Sequence, residues 1–440
     1  MAFRLDETTI TDLSIFDDDD EKSVFKRFNR TQTAGGTKFL KKIFDSPLDD
    51  VEKIHSVQKL VKVFTGITEL WPVDIGNGTI FVMDRFCSEP YTGYRPEDNL
   101  LARLSFQLSN RDSYSILKFS VKIFNEFFRG LKVLKTCLED KNLPEEYEYF
   151  KQSIRKAFDE TPLQRLAAIG PGHKFTSKEN FYFGYHIRAY YRSLVKELIE
   201  VFCQMEAWYS LADAVNKYDL KFPEFVVQDE PCYRATGLYH LMIDNARSYD
   251  VTLTSEKGLM FLTGSNMAGK STFIRSVGLS LFLAHLGLGV PAEAMVLSVF
   301  NGLSTNINIA DDISKGQSYF FNEVKRIKET VGKVNDGTTW MILVDEIFKG
   351  TNILDAMRCS IEVINGFSKV NNALFVISTH LYEIAKEFKY PDKISCKHME
   401  TIVEGDDFRF TYQLKDGVSK DRIGFSIMKR EGVIQMLQTL

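Results

Sequence analysis

Residues 264–272 read Gly-Ser-Asn-Met-Ala-Gly-Lys-Ser-Thr. The spacing GxxxxGK[ST], placed between a short apolar run and a helical pattern, is that of a loop that holds phosphates. Gly264 and Gly269 let the backbone turn tightly, so that its N–H groups face one point. A helix opening near Lys270 adds the positive end of its dipole to the same point. Lys270 then reaches the β and γ phosphates, and the Ser271 hydroxyl is offered to Mg2+.

Two further groups complete that chemistry. Residues 341–344 are apolar and run into Asp345-Glu346, 75 positions after Lys270. Asp345 suits holding Mg2+ through water, and Glu346 directly after it suits polarising an attacking water. Residues 373–377 are likewise apolar and run into Ser378-Thr379-His380. A histidine at the C-terminal end of a sheet strand faces the ligand crevice, where it can sense a γ-phosphate.

A parallel sheet is the element that brings such strand ends together. From about residue 225 onward, short apolar runs alternate with helical patterns, which predicts an α/β sheet. Before it the pattern is helical. Leu117, Val121, Phe124, Phe128, Leu131, Leu134 and Leu138 recur at spacings of three and four. Ile187, Tyr191, Leu194, Leu198, Val201, Met205, Trp208 and Ala212 alternate four and three. That stripe predicts one helix of roughly 30 residues. A lever and an ordinary buried bundle helix fit it equally. Residues 162–183, with Gly170-Pro171-Gly172, predict a turn or short subdomain, and residues 90–96 a second break. Two domains follow, 1–225 and 226–440.

The 440 residues are 44% hydrophobic and 26% charged, which excludes a mostly disordered, collagen-like or disulfide-stapled chain. The 55 Lys+Arg against 59 Asp+Glu give a net charge of −4, so no whole-chain basic field advertises nucleic acid. Cys87, Cys137, Cys203, Cys232, Cys359 and Cys396 are scattered and predict reduced thiols in place of a zinc site. The N-terminus lacks a signal-peptide pattern, and the longest apolar run, 277–292, is too short to span a bilayer. A soluble cytoplasmic protein with no membrane partner is expected.

Thr263-Gly264-Ser265-Asn266-Met267-Ala268-Gly269-Lys270-Ser271-Thr272 closely resembles the TGPNMGGKST loop of the MutS mismatch-repair ATPases. Asp345-Glu346-Ile347-Phe348-Lys349-Gly350-Thr351 resembles their DEIGRGT, and Thr379-His380 their THY. Asp311-Asp312-Ile313-Ser314-Lys315-Gly316-Gln317-Ser318 resembles their DDL..G.S segment. Residues 31–40 and 46–48 resemble the start of the MutS core domain.

The resemblance implies a helical core or lever domain followed by an ABC-type P-loop NTPase domain with a mainly parallel sheet. It implies an ATPase in which Gly264, Ser265, Asn266, Met267, Ala268, Gly269, Lys270, Ser271 and Thr272 cradle ATP. Ser271 and Asp345 would serve Mg2+, Glu346 the water, and His380 the switch. Ser318 would reach the γ-phosphate bound by a partner subunit, so a homodimer with composite sites is implied, with Asp355 at the D-loop. DNA, mismatched, duplex or branched, is the implied partner, with other repair proteins besides. The alternative is an ATP-driven switch that binds protein without reading mismatches.

The sequence also departs from that pattern. The match begins at the core domain, without the mismatch-reading and connector domains, and the stretch between the long helices is too short for a clamp insertion. Ser265 stands for the loop's proline, Phe348-Lys349 for Gly-Arg, Asn352-Ile353-Leu354 for Ser-Thr-x, and Tyr319 for Thr. The adenine-stacking aromatic aligns near Ala246, with Tyr249 the nearest substitute. Residues 151–200 hold 9 Lys+Arg against 5 Asp+Glu, a local excess that a DNA contact and a solvated helix face explain equally.

Overall fold

The computed structural model describes residues 3–19, 21–89, 100–308, 319–404, 407–419 and 424–438. By contacts the chain forms two compact units, one of Met1–Arg27, Ser46–His55 and Tyr218–Leu440, the other of Phe28–Asp45 and Ser56–Lys217. Residues 3–27 and 46–55, which the sequence pattern assigns to the helical part, thus group with the α/β part. Hydrogen bonds give the reason. Arg4 pairs in parallel with Gly302, and the buried Asp12 carboxylate accepts from Thr305 Oγ1 at 2.7 Å and from the amides of Ile307 and Asn308, both at 2.9 Å.

In the second unit the helix Arg111–Leu138 carries the predicted stripe, burying Val121, Phe124, Phe128, Leu131, Leu134 and Leu138. The other stripe is divided between Ser177–Ala189 and Arg192–Lys217. The amides of both Tyr190 and Tyr191 donate to His186 O, at 3.0 and 3.2 Å, and Tyr191 Oη donates to Glu160 at 2.9 Å. That closure ends one helix before the next begins. Periodicity cannot see it, because the apolar spacing runs through the break.

The stretch 162–183, expected as a turn or short subdomain, is two helical segments on either side of the non-helical residues 169–176. Pro162 sits in the first turn of Thr161–Ala168, where a missing N–H costs nothing. Thr176 and Glu179 form a capping box that opens Ser177–Ala189. The break expected at 90–96 lies outside the described residues.

The residues around Thr31-x-Thr33-x-x-Gly36 have a packing reason. The fully buried Glu206 carboxylate accepts from the Gln32 amide at 2.7 Å, the Thr33 amide at 3.3 Å and the Thr33 hydroxyl. It sits so close to the helix Ala34–Phe44 that a Cβ on Gly36 would lie 2.1 Å from Glu206 Oε2. Burial raises the Glu206 pKa, and these three donors oppose the shift. Gly36→Ala is expected to lower the unfolding free energy by about 2 kcal/mol in urea titration.

The first unit holds two sheets. In the smaller, β1 (Glu224–Phe225), β2 (Cys232–Leu238), β3 (Tyr249–Thr254) and β5 (Ala294–Leu297) lie in the order β1-β5-β2-β3. The larger contains β4 (Leu259–Thr263), β6 (Gly302–Asn306), β7 (Trp340–Val344), β8 (Ala373–Ser378), β9 (Ile394–Glu404) and β10 (Asp407–Asp416). Their order is β10-β9-β4-β8-β7-β6, all parallel except β10, which forms a hairpin with β9. The mixed fold, helical with a mainly parallel α/β sheet, agrees with the sequence expectation. β4, β7 and β8 are buried along their whole length, which is why they read as unbroken apolar runs.

The apolar run 277–292 begins as the C-terminal half of the helix Lys270–His285, buried on nearly all sides. Tyr233 of the small sheet meets Ser280 at 2.7 Å, and Leu343 of the large sheet closes on Gly278. No described helix is long and apolar enough to cross a membrane. All six cysteines are free thiols.

His285 ends this helix fully buried. Its Nδ1 lies 2.6 Å from Leu48 O, and its Nε2 accepts from the Phe300 amide at 3.3 Å, so the ring is held neutral. Burial pulls its pKa from 6.5 down to about 4. The folded state therefore binds fewer protons than the unfolded one. The stabilisation is complete above pH 6.5 and is lost as pH falls from 6.5 to 4, amounting to about 3 kcal/mol. Urea midpoints measured across that window are expected to decline, and His285→Gln to flatten the decline.

Candidate functional site

Strand register sets the site. Leu262 of β4 is opposite Ser378 of β8, and Val344 of β7 is opposite Ile377. The three strands therefore end at one level, and the residues just beyond them converge: Gly264–Ser271 from β4, Asp345 and Glu346 from β7, and Thr379 and His380 from β8. Cross-strand bonds continue past the ends, with Thr379 N donating to Leu262 O at 3.1 Å and Ile347 N to Ser378 O at 3.2 Å.

After β4 the loop takes three left-handed residues, Gly264 at φ +141°, Met267 at φ +68° and Gly269 at φ +100°. Gly269 is the N-cap of Lys270–His285, and no side chain caps that end. The first-turn amides, which have no partner within the helix, are left as donors for an anion. Ser265 is buried and hydrogen-bonded to Thr401 at 2.9 Å, while Asn266 and Met267 stand exposed at the tip. Lys270 is buried and folds back on the loop, its Nζ 3.0 Å from Gly264 O and 3.1 Å from Ser265 O. Burial lowers its pKa, against the opposing pull of Glu346 and Asp345.

Asp345 is buried between two hydroxyls, accepting from Ser271 Oγ on one oxygen and from Ser378 Oγ on the other. Ser378 Oγ in turn accepts from the Glu346 amide at 2.9 Å. Glu346 holds φ +54° and places its carboxylate 3.0 Å from His380 Nε2 and 3.6 Å from Lys349 Nζ. The hydrogen bond from His380, helped by the charges of His380, Lys349 and Lys270, holds the Glu346 pKa down at about 2 against burial. Lys270, Ser271, Asp345, Glu346 and His380 are thus brought together. Ser318 lies outside the described residues. Asp355 is in the first turn of Ile353–Phe367, its amide capped by Asn352 at 3.0 Å.

A cavity of about 630 Å3 adjoins the loop. Gly269 and Thr272 line it on the loop side, and Ala246, Arg247, Tyr249, Arg409 and Tyr412 are among the residues around it. Tyr249 is a buried part of the wall, packed edge-on against Phe273. Tyr412 is the exposed ring. It stands 3.2 Å from the position a Gly269 Cβ would take. Its φ of +54° falls where the β9–β10 register shifts between Phe410 and Leu414.

A profile of MutS domain III matches residues 8–222, and one of MutS domain V matches residues 260–437. The chain belongs to the MutS family. A DNA mismatch repair protein MutS of Staphylococcus saprophyticus is 24% identical over 404 residues, covering 87% of this chain and 43% of that protein. Others of the same name, from Petrotoga mobilis and Geobacillus kaustophilus, are 26% and 29% identical over 245 residues each. The chain spans less than half the length of these curated MutS relatives.

Two residues of this MutS-family site escaped the sequence reading. Ser378 stands in the sequence only as the start of Ser378-Thr379-His380, since a serine at a strand end carries no signal of its own. Tyr412 had a visible one, the alternation Phe408-x-Phe410-x-Tyr412, but its turn toward Gly269 depends on the irregular hairpin. Ser378→Ala leaves the Glu346 amide without its acceptor and one of the two Asp345 oxygens without its donor. A loss of about 1–3 kcal/mol in denaturant titration is expected.

Proposed function

We propose that this chain is an ATP-binding and hydrolysing MutS-family protein acting on DNA in repair or recombination. The observation that carries the reading is the convergence of Lys270, Ser271, Asp345, Glu346 and His380 at three adjacent strand ends. The triphosphate lies against the uncapped helix start, exchanging the Lys270 contacts with Gly264 O and Ser265 O for β and γ phosphate oxygens. The Ser271 hydroxyl and Asp345 carboxylate are a pair of oxygen donors that suits Mg2+, which keeps most of its other ligands as water and phosphate. Mg2+ bound there would neutralise phosphate charge. Glu346 orients the attacking water; the bond formed is from water oxygen to the γ-phosphorus, the bond broken is to the bridging oxygen of ADP, and the water's proton leaves on the inorganic phosphate. A carboxylate held near pKa 2 is a weak proton acceptor, so its work is positioning while His380 binds it. His380 changes partner as the γ-phosphate comes and goes.

The nucleotide base occupies the cavity beside Gly269, stacked on Tyr412. Closure of a homodimer in the ABC manner, with Ser318 completing the partner's site, is supported by the exposed Ile353 and Leu354 beside the Glu346 turn. The names of the relatives support DNA as the substrate that hydrolysis serves.

Lys270→Ala is expected to abolish binding of a fluorescent ATP analogue, whereas Glu346→Gln binds it normally and turns over at least a hundredfold more slowly. Tyr412→Ala should weaken ATP by about tenfold, the scale of one lost stacking contact, and leave tripolyphosphate binding unchanged. Hydrolysis measured side by side with homoduplex, mismatched and branched DNA is expected to rise with at least one of them. A wild-type protein that does not hydrolyse ATP would end the ATPase reading. Hydrolysis indifferent to all three, together with no DNA binding at low salt, would end the DNA reading.

A further inference from the structure

Glu323 is a buried carboxylate with no part in the scheme above. It lies on the helix Tyr319–Val334, five residues after Ser318, and is only 3% exposed. Its Oε1 accepts from the Lys349 amide at 3.0 Å and its Oε2 from the Gly350 amide at 3.1 Å. Both donors are backbone groups, and a carboxylate can engage two adjacent ones at once. The same helix meets the turn again through Phe320, whose ring centroid is 5.8 Å from that of Phe348.

The turn it holds is under constraint. Glu346 at φ +54° and Phe348 at φ +56° are both non-glycine residues in the left-handed region, two positions apart. Such backbone persists only where its surroundings over-determine it. From the sheet side, Ser378 holds the amide of Glu346 with its hydroxyl and that of Ile347 with its carbonyl. From the helix side, Glu323 holds the amides of Lys349 and Gly350. Burial raises the Glu323 pKa, and the turn amides and the Lys349 charge oppose it, so the turn itself supports the ionised form. The Lys349 ammonium then lies beside Glu346.

We propose that Glu323 is a positioning residue for hydrolysis, holding the Glu346 turn in its working conformation through the amides of Lys349 and Gly350. The inference rests on the ATPase reading and adds to it the helix after residues 309–318 as the element that sets Glu346. A displacement at the start of that helix reaches Glu346 through two hydrogen bonds and one ring contact.

The test compares wild type, Glu323→Gln and Glu323→Asp in the full chain. Three quantities are measured: kcat and KM for ATP, the Kd for a fluorescent ATP analogue, and the thermal midpoint. Gln offers an NH2 where the turn also presents N–H, so at least one bond is lost while volume is kept. The expected result for Glu323→Gln is a kcat lower by about tenfold or more with KM and Kd within about twofold, the pattern of a group that serves the transition state alone. Glu323→Asp, which keeps the charge, is expected to recover part of that kcat.

An unchanged kcat in Glu323→Gln overturns the proposal. So does a kcat that falls together with nucleotide affinity and thermal midpoint, which is the behaviour of a merely structural group. Should the Gln variant not fold, the Asp variant is read by the same three quantities; if neither folds, the carboxylate serves stability and the proposal is lost. Wild-type protein that binds ATP without hydrolysing it removes the ATPase reading and this inference together. Normal hydrolysis in both variants removes only the inference.

Discussion

The site depends on one buried carboxylate. Asp345 is out of solvent at the end of β7, and each of its oxygens accepts a hydroxyl from a different segment, Ser271 from the helix after β4 and Ser378 from the end of β8. An unpaired charge in that position would be expensive, and the two hydroxyls are what make the burial tolerable. They also impose geometry. Three strand ends must arrive at the same level for both donors to reach, so the parallel register of β4, β8 and β7 is part of the site. Ser378 passes the constraint on by accepting the Glu346 amide, which begins the left-handed turn.

Around that anchor the charges of Lys270 and Glu346 are satisfied internally. The Lys270 ammonium rests on carbonyls of its own loop, and the Glu346 carboxylate rests on His380 and Lys349. This arrangement favours exchange over capture. In the proposed function, a phosphate taking Lys270 from two neutral carbonyls would offer it a full negative charge at a buried position, where such a pair is worth more than at the surface. The helix start contributes its amides without any rearrangement of side chains, because none caps it.

Much of this was legible in the sequence, for physical reasons that differ by residue. Gly264, Gly269 and Lys270 announce themselves because the phosphate-loop pattern sets fixed types at fixed offsets within one strand-loop-helix, and Asp345 and Glu346 because two carboxylates end an apolar run. The buried strands were legible because burial on both faces leaves unbroken apolar runs. What stayed hidden depends on long-range closure. The break at Tyr190–Tyr191 leaves the apolar spacing intact and shows only in a doubled bond to His186 O. The return of residues 3–27 to the α/β unit rests on Asp12, one acid among many in the sequence, reaching amides nearly 300 positions away. Tyr412 was hidden for a third reason, since a hairpin irregularity decides where its ring points.

The near-neutral charge of the chain also takes a different meaning beside the structure. A net charge of −4 looks unfavourable for the anionic ligands proposed above. The phosphate loop, however, gathers its positive potential from backbone amides and a helix end, with a single lysine whose partners are carbonyls. Such a site is invisible to a count of Lys and Arg. Whole-chain charge therefore bears on the exposed faces of this molecule, and the composition is silent about the candidate phosphate loop.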